Sequence, residues 1–191
     1  MAKIRATDQA HSLLSRHVQT GDCAIDATTG NGHDTCFLAA LTGGSGTVYG
    51  FDIQHQAISE TRKLYYELNR DAQLTLFEAG HENIRKLIPS KLHNKVSAIT
   101  FNLGYLPKGD KSVTTTKTTT LPALRDSLSL LRPNGIITIL AYRGHQGGED
   151  EYLAITNWLT QLPTEHFETN IIQPENAGGP VLFAVIKRPL D

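Results

Sequence analysis

The chain is short of cysteine, of net charge and of long apolar runs. Only Cys23 and Cys36 occur among its 191 residues. Their spacing is not that of metal ligands and a single pair makes no disulfide framework, so neither a metal nor disulfides are expected. A reducing compartment suits such a chain. The N-terminal stretch MAKIRATDQAHSLLSRH lacks the continuous apolar core of a signal peptide, so the expected location is cytoplasmic. No later run is long enough to span a bilayer. A net charge of −1 excludes a uniformly basic nucleic-acid coat, while leaving room for a local basic patch. Repeats and linkers are absent too, and residues 1–191 read as one domain.

What is present is an alternation of short apolar runs and amphipathic stretches. Residues 6–18 carry Ala10, Leu13, Leu14 and Val18 at helical spacing, with Thr7 or Asp8 as N-cap. Strands are expected at DCAIDA, TVYGFD, AQLTLFE, KVSAITFNL and GIITILAY, the last opening at a Pro-Asn-Gly turn. Helices are expected between them at HDTCFLAALT, at QAISETRKLYYELN (with Ile58, Leu64, Tyr65 and Leu68 inward), at HENIRKLI and at LPALRDSLSLL. EDEYLAITNWLTQL follows as a last helix, and HFETNIIQ and PVLFAVIKR close the chain as a hairpin around PENAGG. Five β-α units and a hairpin make an α/β protein with a mostly parallel seven-stranded sheet, helices on both faces and an antiparallel C-terminal hairpin. Ligands of such sheets bind beyond the carboxyl ends of the strands.

The first strand runs into AIDATTGNGHDT, residues 24–35. Gly30 and Gly32 let backbone approach a ligand, and the following helix offers free N–H groups. Alternatively, Asp34 merely caps that helix. Asp52 ends the second strand about twenty residues on, where a carboxylate can accept both ribose hydroxyls of an adenosine. No Gly-Lys-Ser/Thr follows, which excludes a phosphate loop. Thr35 stands where a dinucleotide-binding turn wants glycine or alanine, and Asp26 and Asp34 would repel a pyrophosphate. These carboxylates suit the ammonium and sulfonium of S-adenosylmethionine, and the closing hairpin is the topology associated with class I methyltransferases.

Two further strand ends carry polar groups. After the third strand comes EAGHEN, with His81 where related methyltransferases contact adenine. The fourth ends in FNLGYLP, where amino-methyltransferases carry Asn/Asp-Pro-Pro-Tyr; Asn102 and Tyr105 keep its first and last letters. In that motif the side-chain oxygen accepts hydrogen bonds from the target amine and the ring packs on the base.

With DATTGNGHDT, FNLGYLPKGDKSVTTT and YRGHQGGEDEY, the chain from about residue 8 onward resembles the YtqB-like, or MnmM, family of small Rossmann-like class I methyltransferases. The resemblance implies methyl transfer from S-adenosylmethionine to the 5-aminomethyl nitrogen of a tRNA wobble (2-thio)uridine, with the anticodon stem-loop as partner, and leaves a homodimer open. It places Asn31, His33 and Asp34, then Asp52 and Gln54, and His81 around the cofactor. Asn102, Tyr105, Asp110 and Lys111 fall on the substrate side. Thr29 replaces an expected cysteine and Lys108 an expected glycine. Asn102 can orient an amine but is not a base; Asp110, His11 or His145 is left to take its proton. RNA would meet Lys3, Arg5, Lys108, Lys111, Lys117, Arg143 and His145. An rRNA or small-molecule methyltransferase, an NAD-dependent oxidoreductase and a non-catalytic partner in a modification complex stand as alternatives.

Overall fold

A computed structural model describes residues 4–106, 113–174 and 178–189. The expected sites Lys3, Lys108, Asp110 and Lys111 lie outside them. One sheet runs in the order β3-β2-β1-β4-β5-β7-β6. Its parallel part is β1 (Cys23–Asp26), β2 (Thr47–Asp52), β3 (Gln73–Glu78), β4 (Val96–Leu103) and β5 (Leu131–Ala141). β7 (Val181–Lys187) is antiparallel to both β5 and β6 (Phe167–Ile172). The strand order reverses between β1 and β4, which opens a crevice at their carboxyl ends.

Successive side chains along the strands alternate between the two faces of the sheet. Ile25, Ile99, Phe101, Ile137, Ile139 and Phe183 pack on one face with Ile84, Leu124 and Trp158 from α4 (Ile84–Leu87), α5 (Lys117–Leu130) and α6 (Gly148–Thr160). Ala24, Val48, Ala98 and Ala184 face the opposite layer with Leu14, Leu38 and Tyr65 of α1 (Ala6–His17), α2 (His33–Thr42) and α3 (His55–Glu67). With helices on both faces, β1 is buried throughout, whereas the edge strand β6 leaves four central residues exposed.

Several boundaries differ from the sequence reading. α1 opens at Ala6 with Arg5 as N-cap, and Asp8 pairs with Arg5 instead of capping. Leu68 lies past the end of α3 and is 44% exposed, while Thr61 takes an inward place. The third helix is a 3-10 turn at His81–Asn83 followed by the single turn of α4. α5 opens at Lys117 rather than Leu121, so Pro122 falls inside it. That first turn is threonine-rich and has no apolar period, and Pro122 reads as a helix start. Pairing of β5 begins at Leu131, with the register shifting before the turn at Asn134 (φ 60°) is left behind.

Candidate active site

A cavity of about 890 Å³ occupies the crevice. Its walls are the segments that leave β1 to β5, closed on one side by residues 113–116 returning toward β4. The turn after β1 is held open by its own side chains. Asp26 is 1% exposed; its carboxylate accepts from the Thr28 N–H (3.1 Å) and the Thr35 hydroxyl (2.6 Å). Burial, with the charge of Asp34 behind it, pushes the Asp26 carboxyl up to about 7. Asp26 is not on the cavity wall: it braces the turn from behind. Gly32 is also absent from the wall. It caps α2 at φ 83°, and a Cβ there would stand 2.7 Å from Thr61 Cα, so its lack of a side chain serves helix packing.

Gly30, Asn31, His33 and Asp34 do line the cavity. So do Asp52 and Gln54 beyond β2. The two Asp52 oxygens accept from the backbone of Gly30 (3.0 Å) and Gln54 (2.9 Å), locking the β1 turn to the β2 end. Burial raises the Asp52 carboxyl above its ordinary value. Each oxygen keeps a lone pair for a ligand hydroxyl. His81 lines the cavity although only 6% exposed; its ring meets Phe101 edge-on, and burial lowers its pKa.

Asp34 does not cap α2. It stands between two groups, accepting from His11 Nε2 (2.6 Å) at one oxygen and from Asn102 Nδ2 at the other. His11 stacks on Phe37 and stays behind the wall. A carboxylate only accepts, so the Asn102 amide must turn its nitrogen to Asp34. Its oxygen is then aimed the other way: Asn102 Oδ1 is buried, without a hydrogen-bond partner, on a residue of the cavity wall. The Asn102 N–H is itself fixed by Thr28 Oγ1 (2.6 Å).

On the far side, Tyr105 and His145 line the cavity with their rings edge to face, centroids 6.0 Å apart. His145 Nδ1 lies 3.1 Å from the Gln146 carbonyl and 3.4 Å from Thr114 Oγ1; a proton on Nδ1 satisfies the carbonyl, and the buried Nε2, which has no partner, then carries a lone pair. Arg143 is off the wall, in a bidentate pair with Glu149 (2.6 and 2.9 Å) and stacked over Tyr152. Arg5 and Lys117 likewise pair with Asp8 and Asp150. These cations of the expected RNA patch are therefore partly neutralised by their own chain. Sequence reasoning missed Tyr142, Thr28, Thr115 and Thr120; no spacing marks a threonine as a hydrogen-bond relay.

The strand order, the antiparallel seventh strand and the acidic cavity at the β1/β4 crevice define a class I methyltransferase. Solved structures agree. A "putative rRNA-methylase" from Clostridium thermocellum is 37% identical with a TM-score of 0.91, over 98% of this chain and all of that one. A "putative methyltransferase" from Streptococcus mutans, in complex with SAH, is 36% identical with a TM-score of 0.85, over 98% and 99% of the two chains. Residues 48–187 match the family described as "Putative rRNA methylase", and the chain belongs to that family. An Arabidopsis thaliana relative, "tRNA (mnm(5)s(2)U34)-methyltransferase, chloroplastic", is 35% identical over 96% of this chain and 70% of its own length. The protein is thus an S-adenosylmethionine-dependent methyltransferase, and the NAD alternative falls. The residues present fit that cofactor: Asp34 and Asp52 offer carboxylates to a cationic, hydroxyl-bearing ligand, and the cavity is wide enough for it. Among the described residues there is no metal-type cluster, and no helix is long and apolar enough to cross a membrane.

Proposed function

We propose that the protein methylates the exocyclic 5-aminomethyl nitrogen of a tRNA wobble (2-thio)uridine, taking the anticodon stem-loop as substrate. The observation that carries this reading is the orphan acceptor Asn102 Oδ1, because a buried unpaired oxygen on a cavity wall is costly unless a ligand N–H reaches it. The tRNA assignment is supported by the Arabidopsis relative, which is named for the mnm(5)s(2) modification of uridine 34 in tRNA.

Bound beside Asp34 and Asp52, S-adenosylmethionine supplies an electrophilic methyl group. The chain's own residues do the rest. Asn102 Oδ1 accepts an N–H of the neutral amine and points its lone pair, while Asp34 keeps the amide from turning over. Tyr105, 39% exposed at the rim, offers its ring to the base. An ammonium has no lone pair, so a base must hold the departing proton. His145 suits this role: of the described candidates it alone combines a place on the wall with an unpartnered ring nitrogen. Of the cavity residues, Asp52 would hold the ribose hydroxyls of the cofactor, and His81 and Gln54 would stand at its adenine. Holding amine and donor in line removes several kcal/mol from the barrier.

Mass spectrometry of tRNA nucleosides from cells lacking the protein tests the proposal. Unmethylated 5-aminomethyl-uridine should accumulate; its absence would remove the substrate assignment. Loss of an rRNA methyl group instead would favour the rRNA activity for which the family is named.

A further inference from the structure

Among the described residues Glu151 is, with Asp26, one of two fully buried carboxylates, at 1% exposure in the first turn of α6. Among the described residues no cation hydrogen-bonds to it. Its partners are two hydroxyls: Thr115 Oγ1 donates to Oε2 (2.8 Å) and Thr120 Oγ1 donates to Oε1 (2.6 Å). A buried carboxylate without a cation is expensive, and burial indeed raises its pKa. Holding α6 in place would need no charge at all.

What an ionised carboxylate does, and an amide cannot, is accept at both of its terminal atoms. It therefore fixes the direction of both hydroxyls. Thr115 commits its proton to Glu151 and turns a lone pair to the Gly104 N–H, 2.9 Å away. The Thr115 N–H returns a bond to the Gly104 carbonyl (2.9 Å). Gly104, at φ 145°, lies between Asn102 and Tyr105 in a backbone conformation that glycine adopts without strain, and these two bonds fix its place. Thr120 likewise commits its proton to Glu151 and presents a lone pair to His81 Nε2, 3.3 Å away. One side chain after β5 thus ties the segment after β4 to the histidine after β3.

We infer that Glu151 is a positioning residue for methyl transfer, setting the acceptor segment through Thr115 and Gly104 and the cofactor wall through Thr120 and His81. The acceptor half rests on the reading that Asn102–Tyr105 receives the amine.

Glu151→Gln tests this without changing shape. The amide must point its NH₂ at one hydroxyl and reverse it. Replacing a buried carboxylate that no cation compensates relieves its desolvation cost, so a merely structural Glu151 would leave Tm equal or higher and the kinetics unchanged. The expected result is an unlowered Tm with kcat down about tenfold, as small misplacements of reacting groups produce. The two arms should separate. Thr115→Val should lower kcat and speed hydrogen exchange at the Gly104 amide while leaving the Kd for S-adenosylhomocysteine within about twofold. Thr120→Val should weaken S-adenosylhomocysteine several-fold with a smaller effect on kcat. Wild-type kinetics and affinity in Glu151→Gln, or losses that merely track a lowered Tm, would overturn the inference. Should the wild-type chain leave tRNA unmethylated, the substrate proposal fails on its own, and calorimetry and Gly104 exchange still decide the role of Glu151.

Discussion

Replacing Asp34 by asparagine removes one charge, changes almost no volume, and should turn Asn102 around. In the native site Asp34 accepts from Asn102 Nδ2, which leaves Oδ1 toward the cavity. An asparagine at 34 brings its own donor. Asn102 can then offer Oδ1 to it and present NH₂ to the incoming amine, a donor facing a donor. The change forfeits one hydrogen bond to the reacting nitrogen and adds a repulsion, together about 2–3 kcal/mol. At 1.36 kcal/mol per decade this is roughly 30- to 150-fold in kcat/KM. The His11 contact, 2.6 Å to the same carboxylate, is weakened as well. Cofactor affinity should fall less, by under about tenfold, because a single partly solvated carboxylate is worth only about 1 kcal/mol to a cation. Asn102→Ala is the control. It keeps Asp34 and its charge, and should lose comparable turnover with the S-adenosylhomocysteine Kd within about threefold. Steady-state transfer of a radiolabelled methyl group, paired with calorimetry, reads both. The reasoning is refuted if Asp34→Asn loses turnover only as far as it loses cofactor affinity, or if Asn102→Ala turns over like the wild type.

Other consequences concern stability. Asp26 has its carboxyl raised to about 7 in the fold, against about 4 when unfolded. The native state holds the extra proton, so this group's contribution is complete below about pH 4 and is lost as the pH rises through about 7. Urea denaturation of the wild type should therefore show a decline of up to about 4 kcal/mol across that window, and Asp26→Asn should remove most of it; parallel pH profiles would contradict this. Gly32→Ala forces a Cβ against Thr61 Cα at φ 83° and should cost about 2–4 kcal/mol. Gly147→Ala, at φ 81° with open space around it, should cost only about 1–2 kcal/mol. Equal losses at the two glycines would mean that the packing contact is unimportant.

The strands, their alternation with helices and the antiparallel hairpin were legible because buried parallel strands demand unbroken apolar runs. The strand-end positions of Asp52, His81, Asn102 and His145 followed from the same pattern. Direction and burial were hidden. Asp26 and Asp34 are eight residues apart with the same chemistry, yet one braces the turn and the other faces the cavity, because β1 points its last side chain under α2. Gly32 reads as a ligand glycine until Thr61 is seen behind it. Arg143 reads as a free cation until Glu149 is found bonded to it. Glu151 looks like a solvated acid in a helix's first turn; only tertiary packing seals it under Thr115 and Thr120. The start of α5 was obscured by threonines, whose hydroxyls serve the site rather than helix periodicity.

The most direct test uses the purified full chain, S-adenosylmethionine carrying a trideuterated methyl group, and tRNA from cells lacking the protein. After digestion, mass spectrometry should find one trideuteromethyl group on the 5-aminomethyl nitrogen of the wobble uridine, and almost none with Asn102→Ala. Label on a ribose or a ring carbon, or no label in tRNA at all, would contradict an amine held by Asn102.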